Sequence, residues 1–252
     1  APSAGETALE FENITFAYAG SSAPSLTDIS FSVKKGQTVG IIGGTGSGKS
    51  TLVSLIARFY DATQGTVRMD GQDIRTIPLI QLRAAMSVVM QEVFLFSDSV
   101  SENVKTGRRE DTDQEMVRWA SDAAGASHFI ENLSERYETV IGERGVGLSG
   151  GQKQRIQIAR ALLKKATIFL FDDSFSALDF MTESKIRTAI KDKLAPRTVF
   201  VVTQRVTGAM NSDKIIVMDN GKVVGIGKHE ELLQNCSVYN EIFISQSGRS
   251  FL

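Results

Sequence analysis

Leu9 and Phe11, then Ile14, Phe16 and Tyr18, alternate with polar residues. The change of parity at Glu12–Asn13 predicts a strand broken by a bulge. Ile29, Phe31 and Val33 alternate again up to a Lys34-Lys35-Gly36 turn, and Thr38–Ile42 reads as a buried strand that ends abruptly in glycines. Leu52, Leu55, Ile56 and Phe59 then follow at helical spacing, and Val67 and Met69 alternate into an Asp70-Gly71 hairpin turn. From about Val93 to Lys165 the pattern is helical. Thr112-Asp113-Gln114-Glu115 reads there as a capping box and Gly125 as a C-terminal stop. Thr167–Asp172 is a second buried strand, apolar until its final carboxylates. Ile186, Ile190 and Leu194 mark an amphipathic helix stopped by Pro196. Thr198–Thr203 and Lys214–Met218 read as further strands, and Asn220-Gly221 as a turn into Val223–Ile226.

Strands alternating with helices predict an α/β fold whose largely parallel sheet is covered on both faces, with the helical middle inserted between its halves. A length of 252 residues suits one large domain or two small ones. With 28 Lys+Arg against 29 Asp+Glu, the net charge of -1 argues against a chain that coats nucleic acid. Cys236 is the single cysteine, which excludes an intrachain disulfide or a multi-cysteine zinc site; His128 and His229 are far apart in sequence. No apolar run reaches the roughly 18 residues of a membrane span, and Ala1–Glu6 lacks the regions of a signal peptide, so the expectation is a soluble, intracellular chain. The ends, Ala1–Glu6 and Ser245–Leu252, read as linker and tail.

The glycines carry the chemistry. Gly43-Gly44-Thr45-Gly46-Ser47-Gly48-Lys49-Ser50 fits G-x-x-x-x-G-K-[ST] between a predicted strand and a predicted helix. Without side chains there, backbone amides can approach phosphate oxygens, and the helix starting near Ser50 aims its positive end at the same place. Lys49 then reaches the β- and γ-phosphates and the Ser50 hydroxyl ligates Mg²⁺. Asp172 closes an apolar strand, where a carboxylate is costly unless a cation or donors meet it; it is the candidate second magnesium ligand. Leu148-Ser149-Gly150-Gly151-Gln152 precedes a helix with Ile156, Ala159, Leu162 and Leu163 on one face. Ser149 can cap it, and its glycines make it either a second anion-binding helix start or a structural turn.

This last motif resembles the signature of ABC ATPases, and from about Leu9 to Phe243 the chain carries that family's motifs in order. Gly43–Thr51 matches Walker A, with Gly44 where proline is common, and Tyr18 matches the aromatic that stacks on adenine. Gln91, after Ser87–Met90, matches the Q-loop glutamine that touches magnesium and connects to the transport domain. Asp172 ends Walker B, Ser176-Ala177-Leu178-Asp179 is the D-loop, and Thr139–Gly145 resembles the X-loop of exporter-type members. The resemblance implies a P-loop NTPase (RecA-like) core with an N-terminal antiparallel β subdomain at about 9–91 and 166–244. A helical subdomain at about 92–165 is inserted, with linker over 1–8 and tail over 245–252. ATP and Mg²⁺ are the implied ligands. Two such domains pack head to tail in the family, each P-loop nucleotide covered by the partner's Ser149–Gln152 equivalent, and transmembrane domains contact them through coupling helices at the cytoplasmic face of a membrane.

Two positions depart from the pattern. Asp173 stands where the family has the glutamate that polarises the attacking water, and Gln204 stands in place of the switch histidine after Thr198–Thr203. Both concern hydrolysis, while the nucleotide-holding residues remain. The expectation is an exporter ATPase domain whose own site hydrolyses slowly and whose signature completes a competent site on a different subunit. Its membrane domain is expected to precede Leu9. The alternatives are a non-hydrolytic regulatory ATP-binding module, or a homodimer with tolerated or engineered substitutions. A soluble ABC ATPase of DNA repair or translation fits less well, since the chain has no second P-loop and no long heptad insertion.

Overall fold

The structure, a computed structural model, describes residues 6–108, 112–142 and 147–247. The strands are β1 (Thr7–Phe16), β2 (Leu26–Lys34), β3 (Thr38–Ile42), β4 (Gln64–Met69), β5 (Gln72–Asp73), β6 (Met86–Val89), β7 (Ile168–Asp172), β8 (Thr198–Thr203), β9 (Lys214–Asp219) and β10 (Lys222–Gly227). The helices are α1 (Lys49–Ile56), α2 (Leu79–Ala85), α3 (Val100–Lys105), α4 (Gln114–Ala123), α5 (Ser127–Glu131), α6 (Gly150–Leu163), α7 (Phe180–Leu194), α8 (Val206–Ala209), α9 (His229–Asn235) and α10 (Ser237–Ser247). Two compact units result, one from the chain up to Met86 together with Pro196 onward, the other from Ser87–Ala195.

In the first unit an antiparallel sheet runs β2-β1-β4-β5. The predicted bulge is there: the β1–β2 register shifts between Phe11 and Ile14, and Asn13 adopts φ 50. Gly65 of β4 lies against it, where a Cβ would come within 2.4 Å of the carbonyl oxygens of both Glu12 and Asn13. Only glycine lets β4 pass the bulge. The second set of strands runs β10-β9-β3-β8, with β3 parallel to β8 and β9, and β10 antiparallel to β9. The short apolar runs of β3, β8 and β9 are buried as predicted. Against them packs a cluster of Ile42, Val206, Ala209, Ile215, Val217, Leu232, Cys236 and Tyr239, to which α8, α9 and α10 contribute.

In the second unit α6 is the central element, packed against α3 and α4. Its predicted face is the buried one, with Ile156 and Ala159 fully enclosed and Leu162 and Leu163 nearly so. Strand β7 is buried along its whole length and hydrogen-bonds β6.

The structure corrects two expectations here. Helix α1 stops at Ile56, and Arg58 turns left-handed (φ 51), so Phe59 leaves the helical face and is exposed. Helix α4 is capped by Asp113, whose carboxylate accepts from the Met116 amide, rather than by Thr112. Gly125 does stand just past its C-terminus at φ 63. Among the described residues, no helix is long and apolar enough to cross a membrane, and no group of three His, Cys, Asp or Glu residues is placed to hold a metal ion.

Candidate nucleotide-binding site

Strand β3 delivers the chain to Gly43 in the first unit. A Cβ at Gly43 would meet the Met218 carbonyl oxygen at 2.2 Å and Ser47 Oγ at 2.6 Å, so the turn can close only around glycine. Gly46 and Gly48 take φ 78 and φ 100, conformations that L side chains rarely adopt. Gly48 is the N-cap of α1 and offers no side-chain oxygen to its first amides. Lys49, only 8% exposed, folds back over the loop; its Nζ donates to the carbonyl oxygens of Gly43 (2.9 Å) and Gly44 (2.6 Å) and to Ser47 Oγ (3.3 Å).

Gly44, Thr45 and Gly46 are exposed, with open space where side chains of Gly44 and Gly46 would stand. This arrangement fits a phosphate chain: open backbone, an uncapped helix start and a sequestered cation whose carbonyl bonds an anion can replace. Ser50 is exposed in the first turn of α1, with the chemistry of a hard-cation ligand. Thr51 is half-buried, and its Oγ1 lies 3.1 Å from the Tyr18 hydroxyl, which ties the Tyr18 ring to α1. Gln204 is exposed in a bend after β8, and its carbonyl accepts from Gln246 Nε2 at 2.7 Å.

The second unit holds the remaining predicted residues. Asp172 ends β7 and is 2% exposed. Asp173 follows at φ 46, in the left-handed region that aspartate tolerates better than most residues. Two hydroxyls fix the segment around these carboxylates. Ser174 Oγ donates to the carbonyl oxygens of Val89 (2.9 Å) and Asp172 (3.3 Å), and Ser176 Oγ donates to that of Asp173 (2.9 Å). Gln91 is exposed in a bend beyond β6.

Ser149 caps α6 in a full capping box: its Oγ accepts from the Gln152 amide (3.3 Å) while Gln152 Oε1 accepts from the Ser149 amide (2.8 Å). Gly150 and Gly151 open beside it onto a cleft of about 360 Å³ that reaches Arg155, Leu178 and Asp179. Arg155 donates to the carbonyl oxygens of Gly151 (3.2 Å) and Gly125 (2.8 Å), and burial lowers its pKa against an opposing pull from Asp179. Of the X-loop match, Glu143, Arg144 and Gly145 lie outside the described residues.

Gln154 is a functional residue that no motif or spacing marks in the sequence. It is buried in α6, donates through Nε2 to Ser176 Oγ (3.3 Å) and accepts at Oε1 from the Ala177 amide (3.1 Å), so the signature helix is tied to the D-loop. The capping box itself was readable, as S-x-x-Q at Ser149 and Gln152.

Residues 26–176 match the model of the ABC transporter family, more than half of the chain. The chain belongs to the ABC transporter family. Over 95% of its length this ABC domain is 46% identical to YgaD of Bacillus subtilis, of which it covers 41%. It is 43% identical over 92% of its length to an ATP-dependent lipid A-core flippase of Hahella chejuensis, covering 40% of that protein. Its fold is similar to that in a structure of a bacterial Atm1-family ABC exporter with ATP bound. The TM-score is 0.93 and the identity 37%, over 97% of this chain and 43% of that one. The chain thus spans about two fifths of the length of these relatives. The antiparallel N-terminal sheet, the parallel strands and the helical unit are the α/β P-loop fold of such domains, and ABC ATPase domains bind ATP with Mg²⁺.

Proposed function

We propose that this chain is the ATP-binding, energy-coupling domain of an ABC exporter at the cytoplasmic face of a membrane, joined there to transmembrane domains through Gln91 and the X-loop. The observation that carries the reading is the P-loop cradle: Lys49 Nζ gathered onto Gly43, Gly44 and Ser47 beneath an open glycine backbone. Gly43–Thr51 cradle the triphosphate and Tyr18 takes the adenine. Ser50, Gln91 and Asp172 are the residues that would hold Mg²⁺, which would offset the charge of the β- and γ-phosphates. Two domains close head to tail around nucleotide, so that Ser149–Gln152 of each covers the other's γ-phosphate, and hydrolysis releases them.

In the chain's own site Asp173 polarises the attacking water and Gln204 donates a hydrogen bond to the γ-phosphate. Aspartate is one methylene shorter than glutamate, which withdraws the carboxylate by about 1 Å, a displacement that costs roughly a hundredfold where geometry is critical. Gln204 cannot carry an imidazole's charge. The proposed site therefore holds ATP and turns it over slowly, while Ser149–Gln152 complete a competent site on a different subunit that has the glutamate and histidine.

The test mixes the chain with that partner subunit and measures ATP turnover. The mixture is expected to exceed the chain alone, Asp173→Glu to speed the chain's own site, and Ser149→Ala to slow the mixture. If the chain alone matches the mixture and Asp173→Glu changes nothing, the slow-site reading fails. One observation favours a second reading, a homodimer. At φ 46 an aspartate is at home in the backbone, so residue 173 needs no loss of function to explain it. Full turnover by the chain alone is the outcome that reading expects.

A further inference from the structure

Tyr18 lies past the end of β1, where no strand ladder holds it, and it remains 36% exposed. Its ring is instead fixed by other rings. Phe16, buried in β1, stands nearly perpendicular to it at 4.9 Å between centroids (81°), and Tyr60 does the same at 5.2 Å (88°). Phe16 and Tyr60 also touch each other, at 5.6 Å. Tyr60 was not singled out by the sequence and is itself 48% exposed.

What holds Tyr60 is the left-handed turn that ends α1. Arg58 at φ 51 donates to the carbonyl oxygens of Ile74 (2.8 Å) and Ile77 (3.0 Å) and pairs with Asp61 (3.0 Å), while the Phe59 amide donates to the Ser54 carbonyl (2.8 Å). Tyr60 is therefore a half-exposed aromatic on a well-fixed turn, perpendicular to the ring expected to carry a base.

We propose that Tyr60 is a positioning residue for base recognition: it holds the Tyr18 ring at the angle on which a purine stacks. It acts on the base alone, since the phosphates are met by Lys49 and the loop amides. The inference rests on the placement of adenine against Tyr18 proposed above. Tyr60 works through this perpendicular ring contact, to which its hydroxyl is dispensable, and the Thr51 bond to Tyr18 supplies the polar half of the same support.

The experiment titrates the full chain calorimetrically with MgATP and with magnesium tripolyphosphate, a probe that has phosphates and no base. Tyr60→Leu is expected to weaken ATP about fivefold, the scale of one lost aromatic pair, and to leave tripolyphosphate unchanged; Tyr60→Phe should retain wild-type affinity for both. In a Tyr18→Ala background Tyr60→Leu should have no further effect on ATP. An unchanged ATP-to-tripolyphosphate ratio in Tyr60→Leu, or equal loss of both ligands, overturns the inference; should that variant fail to fold, Tyr60→Thr decides by the same ratio. Failure of the underlying reading looks different: wild type would bind both ligands equally, or Tyr18→Ala would leave ATP unaffected.

Discussion

Helices α1 and α6 both begin at glycine-rich turns, and their first turns are completed in opposite ways. Helix α1 starts at Gly48, which offers no side-chain acceptor, and its neighbouring lysine is folded back onto loop carbonyls. Helix α6 starts at Ser149 and satisfies its own end through the reciprocal bonds of Ser149 and Gln152. The first end has no side-chain cap; the second is closed by its own residues. The glycines differ likewise. Gly43 is pinned by a backbone oxygen 2.2 Å from where its Cβ would be, whereas the nearest atom to that of Gly150 is the Ala177 Cβ at 3.6 Å. Gly43 is thus closed in from within while Gly44 and Gly150 have room for a side chain; Gly151 lies between, its Cβ position 3.0 Å from the Ala177 carbonyl oxygen.

Three measurements press on this contrast. Gly43→Ala must displace the backbone at Met218 and should destabilise the chain by about 3 kcal/mol in thermal melts without nucleotide, while Gly44→Ala, facing open space, should stay within roughly 0.5 kcal/mol of wild type. Equal losses would erase the distinction between inner and outer glycines. Lys49→Ala should cost about 2 kcal/mol of ATP affinity, roughly thirtyfold by calorimetry, as expected for lost charge-assisted bonds. Ser149→Ala in the same assay on the isolated chain should leave ATP affinity untouched, and any matching loss there would place the nucleotide at the wrong helix. The smallest effect is on the self-capped end: Ser149→Ala should lower stability by about 1 kcal/mol, and hydrogen exchange should locate the change in the first turn of α6.

Much of this was legible in the sequence because the chemistry is local. Thr38–Ile42 and Thr198–Thr203 are the observed bounds of β3 and β8, and the Glu12–Asn13 bulge follows from a parity change alone. The P-loop was legible for the same reason, since its function lives in consecutive backbone amides. Phe59 misled because helical spacing continues in the sequence after Arg58 has left the helix. Helices α9 and α10 leave no periodic mark in the sequence because they have one buried residue each, Leu232 and Tyr239, too few to make a stripe. Tyr60 and Gln154 were invisible for a different reason. What each does depends on a partner dozens of residues away for Tyr60 and more than twenty for Gln154, and no local spacing encodes that.

The side-chain amide of Gln154 has a mechanical consequence. Its donor and acceptor are both spent on adjacent residues of one loop, Ser176 and Ala177, and Ser176 passes the connection on to the Asp173 carbonyl. Sliding α6 by an ångström with the loop left behind would strand two buried polar groups at once, a cost that cooperative hydrogen bonding steepens. The helix that begins at Ser149 and the turn that carries Asp173 are therefore costly to displace separately, because a single glutamine side chain bonds one to the other.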